Sequence, residues 1–356
     1  SVRAQAVDEL PELVVTASRT EQPIARAGSA VTVIRAEDIA AAGSKSVADV
    51  LRGAPGLDIT EAGGPAGLST LSLRGAQPGQ VLVLIDGVKV GDPTSTTGEF
   101  DFGAFSVTDI DRIEILRGPQ SALYGSDAMG GVVNIITKRG MGPPQGFAQV
   151  EGGSYGSGSL TGGVHGATGP WSYAAAGSFA RSDGFSRYGH RVARIDPALR
   201  ATFDADGFHR FGGYGRAGYD PGTGFRFEVG TMATATRAEF DGGTGRFPDT
   251  PNLVFRRFFQ AYARASFETF GGALTHSLTT FANRSERIFR EVRYGTNQSP
   301  AQTTSTLTEF YGQRAGAEYQ GDLRAGIAGR LTFGARIERE TAETFSERDL
   351  PTPIAR

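Results

Sequence analysis

Residues able to do chemistry are plentiful in this chain but scattered. His165, His190, His209 and His276 lie far apart, and no cysteine is present to act as nucleophile or thiolate ligand. No pair of histidines has metalloenzyme spacing, which argues against an enzyme and leaves no required cofactor. The acids offer more. Asp204 and Asp206, with Asp183, Asp220 and Asp241 in other expected loops, are candidate calcium ligands, because that hard cation takes several carboxylate or carbonyl oxygens. Solvated loop acids are the plainer reading of the same residues. A row of hydroxyls, Thr94, Ser95, Thr96 and Thr97, stands in the loop Gly91 to Gly98; it is either a plain connection or a surface for a polar ligand. Arg74 and Arg117 are each followed by glycine at an expected strand end, and pairing with acids such as Glu114 or with carboxylates elsewhere would lock one part of the fold to another.

The elements that must hold these residues are of two kinds. Of 356 residues 51 are glycine, 10% are aromatic and only 39% are hydrophobic. No window holds eighteen consecutive apolar residues, so no spanning helix is expected; glycine and aromatics recurring along alternating segments are instead the signature of an outer-membrane barrel. A net charge of −2 gives no reason to expect nucleic acid as a partner. Ala4-Gln5-Ala6 fits the small-residue pattern at which signal peptidase cuts, with a short tail as the alternative.

Leu13, Val14 and Val15 form a short strand-prone piece with no expected partner nearby. It reads either as the first strand of a sheet or as a peptide that another protein captures by strand addition. From Ala30 the pattern turns globular: a strand through Val31, Val33 and Ile34, then a helix from near Ala36 with Glu37 and Asp38 in its first turn. Ser46 with Asp49 three residues on predicts a capped second helix that stops at Gly53 and Pro55. Two strands follow, through Leu57 and Ile59 and through Leu71 and Leu73. Val81 to Val90 predicts a buried strand that turns at Asp86-Gly87, a dipeptide suited to the positive dihedrals of a tight hairpin. Ile110 to Gly140 reads as a strand, a glycine-rich corner and a closing strand through Val132 to Lys138.

Four of these stretches, LSLRG at Leu71 to Gly75, VLVLIDGV at Val81 to Val88, IEILRGP at Ile113 to Pro119 and YGSDAMGGVVNIIT at Tyr124 to Thr137, resemble the plug domain of TonB-dependent outer-membrane receptors. Leu13, Val14, Val15, Thr16 and Ala17 resemble the TonB box. Among subgroups, the plug motifs look closest to cobalamin transporters, whose outer loops can bind calcium. The resemblance implies that ligand captured outside signals through the plug, and that TonB in the periplasm then binds the box and pulls. Gln77, Gln80, Asp92 and Thr94 to Thr97 become candidate ligand contacts on apical plug loops, and Arg74, Glu114 and Arg117 a candidate latch between plug and barrel.

Beyond Gly140 the periodicity carries the reading. Trp171, Tyr173, Ala175, Gly177 and Phe179 share one face; Phe225, Phe227 and Val229 oppose Arg226 and Glu228; Phe259, Ala261, Ala263, Ala265 and Phe267 oppose Gln260, Arg264, Ser266 and Glu268; and Leu331, Phe333, Ala335 and Ile337 oppose Thr332, Arg336 and Glu338. Charges on alternate positions suit a wet lumen and would be costly toward lipid. With Phe147 to Gly153, Gly158 to Gly166, Phe211 to Tyr219, Leu274 to Asn283 and Phe310 to Tyr319, about nine strands are expected. A soluble sandwich, burying the apolar face, is the alternative. Nine strands cannot close around a plug of this size, since plugged transporter barrels have about 22. The chain is therefore expected to be a fragment, or to be completed by a second polypeptide.

The expected fold is a membrane β-barrel of the 22-stranded type, with about nine strands in this chain, behind an N-terminal α+β plug. Residues 1–20 hold the box, 21–140 the plug and 141–356 the first part of the barrel. The expected function is TonB-dependent import, across the outer membrane of a Gram-negative bacterium, of a large scarce nutrient. Cobalamin or a related corrinoid is favoured, a ferric siderophore is the alternative, and a passive porin or adhesin is the rival of another class. Expected partners are TonB, the transported ligand, outer-membrane lipid and the remaining barrel strands.

Overall fold

The structure is a computed structural model that describes residues 13–14, 22–26, 29–43, 46–62, 66–107, 110–185, 205–241, 252–293, 304–326 and 329–348. The first part runs β1 (Leu13–Val14), β2 (Gln22–Pro23), β3 (Ala30–Arg35), α1 (Ala36–Ala41), α2 (Val47–Arg52), β4 (Leu57–Ala62), β5 (Leu68–Leu73), β6 (Val81–Ile85), β7 (Val88–Val90), β8 (Ile110–Arg117), α3 (Ser121–Tyr124) and β9 (Gly131–Thr137). Five strands make one sheet in the order β3-β8-β9-β6-β7, antiparallel except where β6 lies parallel to β9. Strands β6 and β9 are buried along their whole length because both faces of the sheet are covered. Val83, Ile85, Ile113, Ile115, Val133 and Ile135 face α2 and the Phe100–Phe105 segment. Leu82, Leu84, Leu116 and Val132 face Ala128 and Tyr124.

Helix α2 starts where the sequence placed it. The Ser46 hydroxyl accepts from the Asp49 N–H at 3.2 Å while Asp49 accepts from the Ser46 N–H at 3.2 Å, so two free donors of the first turn are satisfied together. The corner after β8 differs from the expectation of a plain glycine turn. It contains the one-turn helix α3 between Gly118 (φ 103°) and Gly125 (φ 85°), too short to leave a periodic trace. Strand β1 does have a local partner: Leu13 lies opposite Pro23 and Val14 opposite Gln22, and Val14 is fully buried.

The second part is one antiparallel sheet of nine strands in chain order: β10 (Gln145–Gly152), β11 (Gly158–Thr168), β12 (Trp171–Ser182), β13 (Phe208–Tyr219), β14 (Phe225–Phe240), β15 (Asn252–Thr269), β16 (Leu274–Arg293), β17 (Thr304–Arg324) and β18 (Arg330–Arg348). Strands β14 to β18 run about twice the expected length. Their far halves, such as Ser285 to Glu291 in β16, carry charges on both faces; alternation is lost although the ladder to β17 continues. Connections at one end of the sheet are short, as at Gly169-Pro170 and Phe270 to Ala273, whereas 183–207, 241–251 and 294–303 join the strands at the other.

Alternation sets the two faces of this wall. Trp171, Phe211, Phe259 and Ile337 point away from the first part and stay exposed, while Ala174, Tyr214, Met232 and Phe258 point inward and join its core. Phe258 packs edge-on against Phe100 and Phe105 at 5.9 and 5.4 Å. The wall thus curves around the first part. Among the described residues β10 pairs only with β11 and β18 only with β17, so both outer edges are open.

Candidate plug–barrel interface and ligand face

The hairpin β6-β7 is what the wall grips. Its turn residues, Asp86 (φ 52°) and Gly87 (φ 80°), have the left-handed dihedrals that an Asp-Gly hairpin needs. The turned backbone aims the Asp86 carboxylate at Thr137, whose N–H and hydroxyl donate to it at 2.9 and 2.8 Å. Arg216 of β13 reaches the same carboxylate at 3.1 Å and donates to the Thr137 carbonyl at 3.2 Å. The other side of its guanidinium meets Glu228 of β14 at 2.6 Å. Tyr262 of β15 donates to Glu228 at 2.9 Å across the bare backbone of Gly230, where a Cβ would stand 2.3 Å from the tyrosine ring. Arg264 and Gln260 complete the grip by donating to the Asp86 and Ile85 carbonyls at 2.8 and 3.1 Å. Arg216 and Asp86 are almost wholly buried, so each is tolerable only because the other is present.

Two further levels hold the same segment. Asn283 of β16 donates to the Lys89 carbonyl at 3.1 Å, and the Lys89 ammonium reaches Asp127 at 2.5 Å, Glu338 at 3.6 Å and Glu340 at 3.8 Å. Burial raises the Asp127 carboxyl, but the hydrogen bond and charge of Lys89 outweigh it and hold that group below its ordinary value. Toward the long-loop end, Arg287 of β16 meets Asp92 at 2.7 Å and Thr94 at 3.1 Å, with its guanidinium over the Phe310 ring. Nearby, Arg256 of β15 pairs with Asp101 at 3.1 Å, while Asp101 accepts from the Ser69 and Gly103 N–H groups. Below the hairpin, toward the short-turn end, a polar cavity of about 500 Å³ is lined by Asp86, Arg216, Glu228, Arg264 and Arg336, among others.

The residues expected to form the latch do other work. Glu114 is buried in β8 and pairs with Arg112 of the same strand at 2.9 Å. Arg117 donates to the Thr32 hydroxyl of β3, and Arg74 sits in a turn at φ 51° with no ion pair among the described residues. Pairing of plug and wall falls instead to Asp86, Lys89, Asp92 and Asp101. In the sequence Asp86 reads as a turn former and Asp92 as a ligand contact, so neither one announces this pairing. The signal was there in the inward Arg216, Glu228, Arg264 and Arg287, which need partners.

The candidate ligand residues gather at the long-loop end. Gly79 touches Thr97: a Cβ there would lie 2.0 Å from the Thr97 carbonyl oxygen, so the loops at 77–80 and 92–98 pack directly on each other. Gln77 donates its N–H to the Gln80 side chain at 3.0 Å. Ser95 and Thr97 both donate to Glu99. Burial raises the Glu99 carboxyl, yet those two hydroxyls and the Arg287 charge hold it below its ordinary value. Thr96 is left exposed at the tip. Of the calcium candidates, Asp204 lies outside the described residues and Asp206 is buried. Asp183 and Asp220 pair with Arg181 and Arg226, and among the described residues no three His, Asp or Glu side chains converge as a metal site. Val15, Thr16 and Ala17 also lie outside the described residues.

Residues 23–132 match the TonB-dependent Receptor Plug Domain family. Over that stretch the first part of the chain is similar to the plug domain of TonB-dependent receptors. The whole chain has the fold of such receptors, a plug domain inside a strand-rich partial barrel. It superposes on the ferripyoverdine receptor of the outer membrane of Pseudomonas aeruginosa with a TM-score of 0.74 and 15% identity, covering 96% of this chain and 46% of that one. The ferric-catecholate import receptor Fiu from E. coli K12 gives 0.69 and 15%, covering 90% and 50%. A mutant ferric enterobactin receptor from Pseudomonas aeruginosa, in complex with enterobactin, gives 0.55 and 21%, covering 89% and 55%. The chain thus spans about half the length of these receptors. The favoured resemblance to cobalamin transporters finds no support in these comparisons.

Proposed function

We propose that the chain is the plug-bearing part of a TonB-dependent receptor that imports a ferric siderophore across the outer membrane of a Gram-negative bacterium. The observation that carries this reading is a plug domain held inside a barrel wall by buried ion pairs at several levels. The structural neighbours named for iron–chelate uptake favour a siderophore over the corrinoid that the plug motifs suggest. In this reading the short-turn end faces the periplasm and the long-loop end faces outside, as in outer-membrane barrels generally. Ligand then meets Gln77, Gln80, Thr94, Ser95, Thr96 and Thr97, whose hydroxyls and amides lie on turns that a large polar molecule can approach.

TonB captures Leu13 to Ala17 by adding a strand and draws on the inner-membrane proton gradient, since import needs energy rather than bond chemistry. That capture must displace the Leu13–Val14 pairing with Gln22–Pro23, a ladder only two residues long. Further strands cover the open edges of β10 and β18, because unpaired edges are not tolerated in hydrocarbon. The test is uptake of iron-loaded siderophores and of cobalamin by cells that depend on this receptor. Val14→Pro removes a donor and fixes a backbone angle, so energised uptake should fall to background while surface binding persists. Uptake that survives this change would rule out the strand-addition step, and uptake of cobalamin alone would restore the corrinoid reading.

A further inference from the structure

The inward face of the wall continues past the plug. Arg287 of β16 meets Asp92 and Thr94 of the plug loop, and beyond it the same face runs on toward the long-loop end of the strands. Its members there are aromatic: Phe310 of β17 lies opposite Arg287, Phe289 of β16 opposite Thr308, and Phe240 closes β14. The three rings meet edge to face, Phe240 with Phe289 at 6.2 Å and Phe289 with Phe310 at 6.0 Å. Each is half-buried, and none belongs to the cores that the described residues form around the plug. Lipid does not call for them either, because they point to the lumen. Two residues rise roughly 6–7 Å along a strand, so this arc lines the space directly over residues 92–98.

Beside the arc the same face turns hydroxyl-rich. Thr344 of β18 stands opposite Phe310, and the Thr308 and Ser346 hydroxyls lie 3.5 Å apart across β17 and β18. The charges at this level are matched among the described residues. Arg287 pairs with Asp92 at 2.7 Å while its guanidinium covers the Phe310 ring at 4.9 Å, and Glu99 accepts from Ser95 and Thr97. Farther up, Thr306 stands between Glu291 and Arg348, one charge of each sign. A ligand resting here meets rings that favour apolar area, and hydroxyls that donate to amide and carbonyl oxygens. Iron(III) chelates differ in how they suit such a surface. Three monoanionic hydroxamates cancel the charge of iron(III), whereas three dianionic catecholates leave a triply negative complex. A trianion brought onto rings and neutral hydroxyls loses its hydration and has to compete with Asp92 for Arg287. An uncharged chelate loses little hydration and gains the buried apolar area.

We infer that the transported chelate is uncharged and of the trihydroxamate class, with its alkyl surface on Phe240, Phe289 and Phe310 and its carbonyl oxygens toward the hydroxyls of Thr308 and Thr344. This rests on the siderophore reading above and names the substrate class within it. Calorimetric titration of the complete receptor, purified in mild detergent, compares ferrichrome, an uncharged iron(III) trihydroxamate, with iron(III) enterobactin, a tris-catecholate, and with cobalamin. Ferrichrome should bind about tenfold or more tightly than iron(III) enterobactin, with an affinity that barely changes with salt. Phe289→Ala combined with Phe310→Ala should weaken ferrichrome by about tenfold or more. Thr308→Arg, which sets a cation on the inward face beside Phe289, should strengthen the enterobactin complex and so narrow the preference. Heat resistance of the barrel on electrophoresis is followed in each variant, and Thr308→Arg alone decides if the double alanine variant forms no barrel. Equal or tighter binding of iron(III) enterobactin by the wild type overturns the uncharged-ligand inference. So does a ferrichrome affinity that survives both alanine changes in a heat-resistant barrel, or a preference that Thr308→Arg leaves unchanged. Failure of both iron chelates to bind, with cobalamin bound or not, overturns the siderophore reading instead.

Discussion

Plug and wall use the same strand chemistry in opposite senses. In the plug, β6 and β9 are buried on both faces; in the wall, β14 and β15 turn Glu228, Gln260 and Arg264 inward, with Gln260 buried and the two charged groups half-buried, and leave Phe227, Phe259 and Phe267 exposed. What stabilises a strand is the fit of each face to its surroundings rather than hydrophobicity as such. The boundary between the two regimes is where charged groups lose water, and there the molecule concentrates paired charges. A plug residue such as Asp86 is exposed to neither lipid nor bulk water, so its partners in the wall decide whether it is a cost or a tether.

The sharpest way to break this comparison is to remove one member of the deepest pair. Asp86→Ala leaves Arg216 buried beside Glu228 alone and takes away the acceptor for Thr137, at about 3–5 kcal/mol. The expected result is a plug that proteases cleave inside a barrel that still resists heat; equal protection of variant and wild type would show that the tether is idle. Next in size is a change on the lipid side. Ala263→Arg, at mid-height on the outward face of β15, should cost about 2–4 kcal/mol of barrel stability in vesicles. The neighbouring inward position already holds Arg264, so a neutral result at Ala263 would mean the faces are assigned the wrong way round.

Smaller effects test the plug by itself. Ser46→Ala removes the cap of α2 and should lower plug stability by about 1 kcal/mol, read from denaturant unfolding monitored within the plug. Smallest is the response to acid near Glu99. Its carboxyl lies below the ordinary value of 4.5 in the folded protein, so it adds stability in full above that value, which is lost as pH falls through the lowered one. Protection of the amides in residues 94–99, taken relative to their intrinsic exchange rate at each pH, should therefore fall on acidification below about pH 4.5. Glu99→Gln should flatten that dependence, and an unchanged profile would assign it to another group.

What the sequence disclosed followed from whether a residue's role was local. The Ser46–Asp49 cap and the Asp86-Gly87 turn are settled within a few residues, and both stand in the structure where the pattern put them. Nine strands are countable because apolar residues alternate along one face, in β14 to β18 over the half nearest the short turns. The upper halves escaped because, beyond the apolar band, water wets both faces and alternation has no cause. The plug–wall pairs were hidden for a different reason: Asp86 and Arg216 are 130 residues apart, and an aspartate that suits a turn gives no sign that its carboxylate is also bound at a distance. Arg74 and Arg117 drew notice through their motifs, yet their described neighbours lie within the plug.

The parallel pairing of β6 with β9 has a consequence for the order in which the molecule is made. Val81 to Ile85 can be emitted from the ribosome, turned and paired with β7 at once, but its other edge must wait until Gly131 to Ile135 exist. Until then an entirely apolar strand has one side open, and non-local pairing of this kind is slow to form. Its missing partner is the last strand of the plug and directly precedes the first strand of the wall. Completion of the plug and the start of the barrel are therefore consecutive along the chain, and the open edge of residues 81–85 waits until 131–135 are available to cover it.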